Sequence, residues 1–280
     1  MLPWRNLGLA AARLIPLTGE AAAGSLDRGI QSAAVQQEWD RFFDDLYLET
    51  YVNRLAALDP EGEARAAIEL ARCRQGADVL DCPCGHGRHS FPLADAGYHI
   101  VGADRSKTAL ARAREQVAGR EWPQFVEADY RELPLEDESF DAVLNLFSSI
   151  GYYDEESDLA AFREFRRVLR PGGALVLETM HRDRLMSIFR ERDWEELPDG
   201  GIVFEQRNFD PVTGLVETNH SLIRANGERE SFSYRMRPYT ATELARMLDE
   251  AGFADVAFYG GLLERAPLSA QHRLVAVAST

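Results

Sequence analysis

Val79-Leu80-Asp81-Cys82-Pro83-Cys84-Gly85-His86-Gly87-Arg88-His89 is the stretch that decides the fold. A short apolar run ends in an acid, and a tight glycine-containing turn then opens a helix. This is the layout of a strand–loop–helix unit in which bare backbone lets a nucleotide-like ligand come close. Tyr98-His99-Ile100-Val101-Gly102-Ala103-Asp104 repeats the apolar run with its terminal acid, and Phe125-Val126-Glu127-Ala128-Asp129 does so again. Three successive strands are thus expected to bring Asp81, Asp104 and Asp129 to the carboxyl edge of one sheet, where open α/β sheets hold ligands.

The same alternation extends outward. Upstream, residues 36–59 read as a helix, with Trp39, Phe42, Phe43, Leu46, Tyr47 and Leu55 on one stripe. Pro60–Arg74 reads as a second helix leading into the strand Asp78–Asp81. Downstream, the helix near Arg88–Ala96 stops at Gly97, and Ser106 is placed to cap a helix over Ser106–Ala118. Phe140–Leu146 is a fourth strand. Glu155–Leu169 is a helix with acids in its first turn and arginines in its last, the order its dipole favours. Pro171-Gly172-Gly173 ends it, and Ala174–Thr179 is a fifth strand. Apolar strands alternating with helices belong to a parallel sheet covered on both faces.

Beyond Thr179 the rhythm changes. Ile202–Phe209, Leu215–Ile223 and Ser231–Arg237 are three strand-like runs separated by turn signals at Asp210–Gly214 and Asn226-Gly227. The βα pattern then resumes with a capping box at Thr240-Ala241-Thr242-Glu243, followed by strands at Phe253–Tyr259 and Leu274–Ala278. The expected fold class is α/β: a Rossmann-like, doubly wound, seven-stranded, mostly parallel sheet with an antiparallel β insertion and an N-terminal helical lid. The expected segments are an N-terminal extension (1–24), the lid (25–75), the ligand-binding domain (76–181 and 238–280) and the insertion over the substrate site (182–237).

With 280 residues, 45% of them hydrophobic, the chain can bury a sizeable core. A net charge of −15 argues against a nucleic-acid partner, because phosphate backbones demand clustered Lys and Arg. Cys73, Cys82 and Cys84 suit a reducing cytosol, which makes a cytoplasmic location the expectation. The Cys82/Cys84 pair has no second Cys/His pair at zinc-site spacing, so no metal is expected. The apolar run Leu7–Leu17 is too short to span a bilayer and is cut by Arg13, so no membrane association is expected. A weak signal sequence is the competing reading of the first 24 residues.

Taken together, the glycine turn and the ordered acids resemble the class I S-adenosylmethionine (SAM)-dependent methyltransferases from about Asp78 to the C-terminus. That family opens its first motif with an acid and spaced glycines. Here Pro83 stands where the first family glycine would fall, while Gly85 and Gly87 remain. Arg167-Val168-Leu169-Arg170-Pro171-Gly172-Gly173 is also typical before the fifth strand. The resemblance implies a SAM site formed by Asp81, Cys82, Gly85, Gly87, Arg105 and Leu146. It further implies that Asp104 holds the ribose hydroxyls and Asp129 the adenine amino group, with Tyr130 beside it. The aromatic N-terminal helix, Phe147-Ser148-Ser149-Ile150-Gly151-Tyr152 and the antiparallel insertion are similar to a small-molecule branch, the glycine N-methyltransferase-like and aminosugar N-methyltransferase-like enzymes. Methyl transfer to nitrogen or oxygen of a small-molecule acceptor is the implied function. A homodimer is compatible with the sequence, which does not set the oligomeric state. Two rivals stay open: a SAM- or nucleotide-binding protein without transfer activity, and a nicotinamide-dependent enzyme. The latter's GxGxxG fingerprint is incomplete, with Ser90 where the third glycine would fall.

A protonated acceptor must lose its proton before or during attack, which calls for a base within hydrogen-bond reach. His181, just past the fifth strand, is the first candidate, its rival reading being a loop histidine on a solvated edge. Tyr47 and Tyr152 are candidates to act on the acceptor, and Tyr51, Arg235, Arg237 and Tyr259 to bind it. The rival reading of the tyrosines on the N-terminal helix is plain core packing. Nucleic-acid amino methyltransferases carry Asn/Asp-Pro-Pro-aromatic after the fourth strand. Asn145-Leu146-Phe147-Ser148 stands there instead.

Overall fold

The computed structural model describes Phe43 and residues 46–280. The expected N-terminal extension, and Trp39 and Phe42 of the aromatic stripe, lie outside the described residues. Among those described, the chain runs through α1 (Tyr47–Thr50), α2 (Val52–Ala56), α3 (Pro60–Ala71), β1 (Asp78–Asp81), α4 (Ser90–Asp95), β2 (His99–Asp104), α5 (Lys107–Val117), β3 (Gln124–Glu127), β4 (Phe140–Asn145), α6 (Glu155–Val168) and β5 (Leu169–Thr179). It continues with α7 (Arg182–Ser187), β6 (Arg192–Glu196), β7 (Ile202–Asp210), β8 (Leu215–Ile223), β9 (Arg229–Met236), α8 (Ala241–Glu250), β10 (Asp255–Gly260) and β11 (Leu274–Ser279).

Seven strands form one sheet in the order β10-β11-β5-β4-β1-β2-β3. β1 to β5 are mutually parallel, while β11 runs antiparallel to both β5 and β10. The order reverses between β4 and β1, so the crevice at their carboxyl ends is where a ligand is expected. The pleat sends alternate side chains to opposite faces. Leu80, Val143, Leu175 and Leu177 pack with Phe162 and Phe165 of α6 and Leu244 and Met247 of α8. Val79, Leu144 and Val176 pack on the other face with Ala67 and Ile68 of α3 and Leu93 of α4. Val79, Leu80, Val143, Leu144, Val176 and Leu177 are all 0% exposed, and each such burial is worth about 1.5–3 kcal/mol.

The capping signals act where the sequence puts them. The Ser106 hydroxyl accepts from the Ala109 amide, and Thr240 and Glu243 form the reciprocal capping box. Four boundaries differ from expectation. The helix expected over residues 36–59 is, in its described part, two short helices interrupted at Tyr51. The third strand ends at Glu127, so Asp129 lies two residues past it, in an isolated bridge to Glu132. β5 begins at Leu169, with a register irregularity near Ala142 that absorbs Pro171–Gly173. The insertion has four strands, β6-β7-β8-β9, because Arg192–Glu196 also pairs.

The insertion sheet does not stand alone. Leu46 packs with Leu197, Val203, Leu222 and Phe232 in a small apolar cluster joined by Phe43, Tyr47, Tyr51 and Tyr234. Asn53 donates to the Glu196 carbonyl at 2.9 Å, and Arg224 grips Glu49 at 2.7 and 2.9 Å. The N-terminal helices and the insertion therefore form one roof. Its exit from β9 is tied to the turn after β4 by the Arg237 amide, which donates to the Gly151 carbonyl at 2.7 Å.

Candidate active site

A cavity of about 1010 Å³ lies over the carboxyl ends of β1, β2 and β4 and under this roof. Its size is at the upper end for small-molecule sites. The floor is built by the turn after β1. Gly85 has φ +55°, and a Cβ there would meet nothing within 4 Å, so its bare backbone faces open cavity space. Gly87 is different. Its φ is +86°, and a Cβ would strike Phe91 at 2.7 Å and Phe125 at 3.1 Å. Gly87 is bare because α4 and β3 close over it, and it does not line the cavity. The two glycines expected to share one role divide between ligand approach and packing.

Of the three expected acids, Asp104 alone lines the cavity. One of its oxygens accepts from the Gly85 amide at 2.7 Å, the other from the Ser106 amide at 2.8 Å. Burial pushes its carboxyl up from the ordinary value. Asp104 thus ties the glycine turn to Ser106, the residue that caps α5, through one carboxylate that lines the cavity. Asp81 is 1% exposed and turns away, accepting from the Ser90 hydroxyl at 2.6 Å. Asp129 faces a separate depression and is clasped by Arg131 at 2.6 and 2.9 Å. Burial raises the Asp129 carboxyl, but the Arg131 hydrogen bonds outweigh it and hold it below its ordinary value. Cys82, Arg105, Tyr130 and Leu146 do line the cavity. Burial holds the Cys82 thiol well above its ordinary value, so it stands protonated.

Tyrosines dominate the roof side. Tyr47 stacks on Tyr51 at 5.1 Å, and the Tyr51 and Tyr234 hydroxyls are 3.2 Å apart. Tyr152 meets Phe43 edge-on at 5.2 Å and Tyr234 at 5.7 Å. All four tyrosines line the cavity. Burial raises Tyr47, Tyr152 and Tyr234, so these phenols are neutral at ordinary pH. Beside them stand Arg54 and Arg207, both held by Glu205, a carboxylate that is 5% exposed. The Arg54 guanidinium also lies 4.7 Å over the Tyr51 ring.

The other candidates fall elsewhere. His181 is 5% exposed and sits behind the wall, one residue past the cavity-lining Met180, with Asp183 at 3.7 Å. Arg235 pairs with Glu217 on the insertion, and Arg237 pairs with Glu243 and Glu155. Tyr259 is partly buried and packs against the apolar cluster of Val79, Leu144 and Val176. None of these four lines the cavity. The residues missed are Arg54, Glu205, Arg207 and Tyr234 in the roof, and Arg88, Glu178 and Arg273 around the turn after β4. Glu178 closing an apolar strand and Arg273 directly preceding another were the only signals, each a charge at the end of a buried run.

A methyltransferase-domain family model matches residues 79–173. A demethylmenaquinone methyltransferase of Staphylococcus aureus is 30% identical over 196 residues, 68% of this chain and 74% of that protein. A glycine/sarcosine N-methyltransferase of Parasynechococcus marenigrum is 27% identical over 247 residues, covering 82% of this chain and 83% of that protein. In fold, the chain is similar to SAM-bound CalS10, an amino pentose methyltransferase from Micromonospora echinaspora. The TM-score is 0.64 at 22% identity, over 84% of this chain and 97% of that one.

Proposed function

The chain belongs to the class I SAM-dependent methyltransferases, and on that footing we propose that it transfers a methyl group to a nitrogen or oxygen of a small-molecule acceptor held beneath the tyrosine roof. The observation that carries this reading is the continuity of one cavity from Gly85 and Asp104 to Tyr47, Tyr51, Tyr152 and Tyr234. Cofactor and acceptor would share it, with the acceptor enclosed on the roof side. The floor fits SAM: bare backbone at Gly85 opens onto the cavity, and the Asp104 carboxylate is fixed beside it.

When bound at Gly85 and Asp104, SAM would supply an electrophilic methyl carbon for in-line attack by an acceptor lone pair, with the thioether of S-adenosylhomocysteine as the leaving group. The chain's own part is positioning and exclusion of water. Gly85 and Asp104 seat the cofactor. Tyr47 and Tyr152, neutral because they are buried, orient the acceptor by hydrogen bonding and do not serve as anionic bases. Arg54 and Arg207, pinned by Glu205, present donors to its polar groups. His181 is left out of the proton path, since its ring is buried off the cavity. Arg235, Arg237 and Tyr259 are likewise left out of acceptor binding.

The test is calorimetric titration with SAM and S-adenosylhomocysteine, followed by labelled-methyl transfer to a panel of small amines and alcohols. Saturable binding of both nucleosides and label in a small acceptor are expected. Absence of binding to either would remove the reading. No described helix is long and apolar enough to cross a membrane.

A further inference from the structure

Two consecutive residues without the freedom of glycine, Phe147 and Ser148, have φ of 64° and 60° at the turn that leaves β4. Left-handed backbone strains such residues, and it persists only where the surroundings enforce it. Both residues line the cavity. What enforces the turn is a set of charges from β5 and from the residue before β11. The Glu178 carboxylate accepts from the Phe147 amide at 2.8 Å, and the Glu178 carbonyl accepts from the Ser148 amide at 3.0 Å. Arg273 donates to both Glu178 oxygens and, at 2.6 Å, to the Ser148 hydroxyl. Two guanidinium groups lie over the Phe147 ring, Arg88 at 4.8 Å and Arg273 at 5.6 Å from its centroid. Arg88 is itself fixed by Glu63 at 2.6 Å.

Burying an ion pair seldom stabilises a fold beyond what an apolar pair of like volume would, so stability alone explains this one poorly. Its geometry explains more. Glu178 is 6% exposed, and Arg273 reaches across β5 to the end of β4, the strand beside the point where the sheet order reverses. The guanidinium fork fixes two planes at once, which a point charge does not.

We propose that Arg273 and Glu178 are positioning residues for methyl transfer: together they lock the left-handed Phe147–Ser148 turn and thereby set the cavity wall against which the acceptor meets the methyl group. This rests on the methyltransferase reading above. Glu178 does not line the cavity; Arg273 does, but its role here is on the turn and not on the reacting atoms. They act through the turn, and a displacement of about 1 Å at such a wall lowers turnover by as much as 10²-fold.

The experiment uses the full chain and four variants: Arg273→Lys, Arg273→Met, Glu178→Gln and Ser148→Ala. Amide hydrogen exchange of a peptide covering residues 145–151 is read in the protein without added ligand, beside SAM affinity, kcat and KM. Arg273→Met should speed exchange of that segment about tenfold or more and lower kcat about 10²-fold, with SAM affinity within about twofold of the parent. Arg273→Lys should recover part of both effects, and Ser148→Ala, which removes one partner and keeps the ion pair, should show the smallest change in the same direction. Unchanged exchange in all four variants overturns the proposal. So does faster exchange with kcat unaltered, which would make the clamp purely structural. A parent protein that binds no SAM would instead sink the methyltransferase reading, and the exchange contrast would still report on the clamp.

Discussion

The cavity floor comes from residues 82–106 of one strand–turn–helix–strand unit, whereas the roof joins segments as far apart as Tyr51 and Tyr234, 183 positions from one another. The floor is backbone chemistry. Gly85 offers an open Cα, and one carboxylate, Asp104, ties down two amides. The roof is side-chain chemistry, made of stacked phenols and two arginines sharing a buried glutamate. A floor of this kind suits a ligand that never changes, and a roof of this kind suits one that differs between enzymes sharing the fold. Cofactor affinity and acceptor affinity should therefore separate under mutation.

The largest effect is expected at Gly85. In Gly85→Val the side chain would stand in the cavity on a left-handed backbone, where a β-branched residue is strained by roughly 1–2 kcal/mol. Binding of SAM and S-adenosylhomocysteine should fall beyond calorimetric detection, with only a modest drop in melting temperature. Binding kept within tenfold of the parent would show that the ligand does not approach this backbone. Asp104→Ala comes next. Losing a carboxylate that satisfies buried donors should weaken cofactor binding by about 1–3 kcal/mol, while the acceptor KM at saturating SAM stays put. Equal cofactor affinity in mutant and parent would take Asp104 out of the proposed cofactor site.

On the roof the signs should exchange. Arg54→Ala removes one of two guanidinium partners of Glu205 and the cation over Tyr51. Arg207 remains to neutralise the carboxylate, and the Arg54 side chain is 39% exposed, so the structural cost is small. The acceptor KM should rise about tenfold, or 1.4 kcal/mol, with SAM affinity unchanged. If instead SAM affinity falls and KM does not, floor and roof are not separate sites.

The contrast also explains what the sequence disclosed. The floor was readable because strand, turn and acid follow one another within a few residues, and local order is what periodicity and turn chemistry encode. Even there, burial divided roles that the letters could not. Asp81, Asp104 and Asp129 look equivalent in sequence, yet Ser90 takes up the first and Arg131 the third. Gly85 and Gly87 look equivalent, yet only one faces open space. The roof was scarcely readable. Arg192–Glu196 is polar and charged enough to hide a strand, and its partner, Ile202–Gln206, supplies the register from outside. Arg54 and Glu205 are 151 positions apart, and nothing in either neighbourhood announces the other.

The smallest expected effect is in pH, and floor and roof again differ in sign. In the roof, burial, then the charges of Arg207 and Arg54, lower the His220 imidazole to about 3. The ring stacks on Phe232 at 4.6 Å, and Glu205 lies 3.7 Å away. The folded protein therefore keeps His220 neutral, while the unfolded chain takes up a proton below the ordinary value of 6.5. Stability is complete above pH 6.5 and declines as pH falls from there toward 3. In the floor, burial raises Asp81 and Asp104, so the folded state holds protons that the unfolded state has released. Their contribution grows as pH falls through the carboxylate range, the opposite slope. His86, lowered by burial, shares the sign of His220, so the parent's pH curve alone does not isolate the roof. The variant His220→Phe does, because phenylalanine preserves the stack on Phe232 and carries no proton. Between pH 8 and pH 6 the parent should lose about 1 kcal/mol of unfolding free energy more than the variant, measured by denaturant titration at each pH. Parallel curves would mean that His220 is as easily protonated in the roof as in the unfolded chain, and that water reaches the inner face of the insertion sheet.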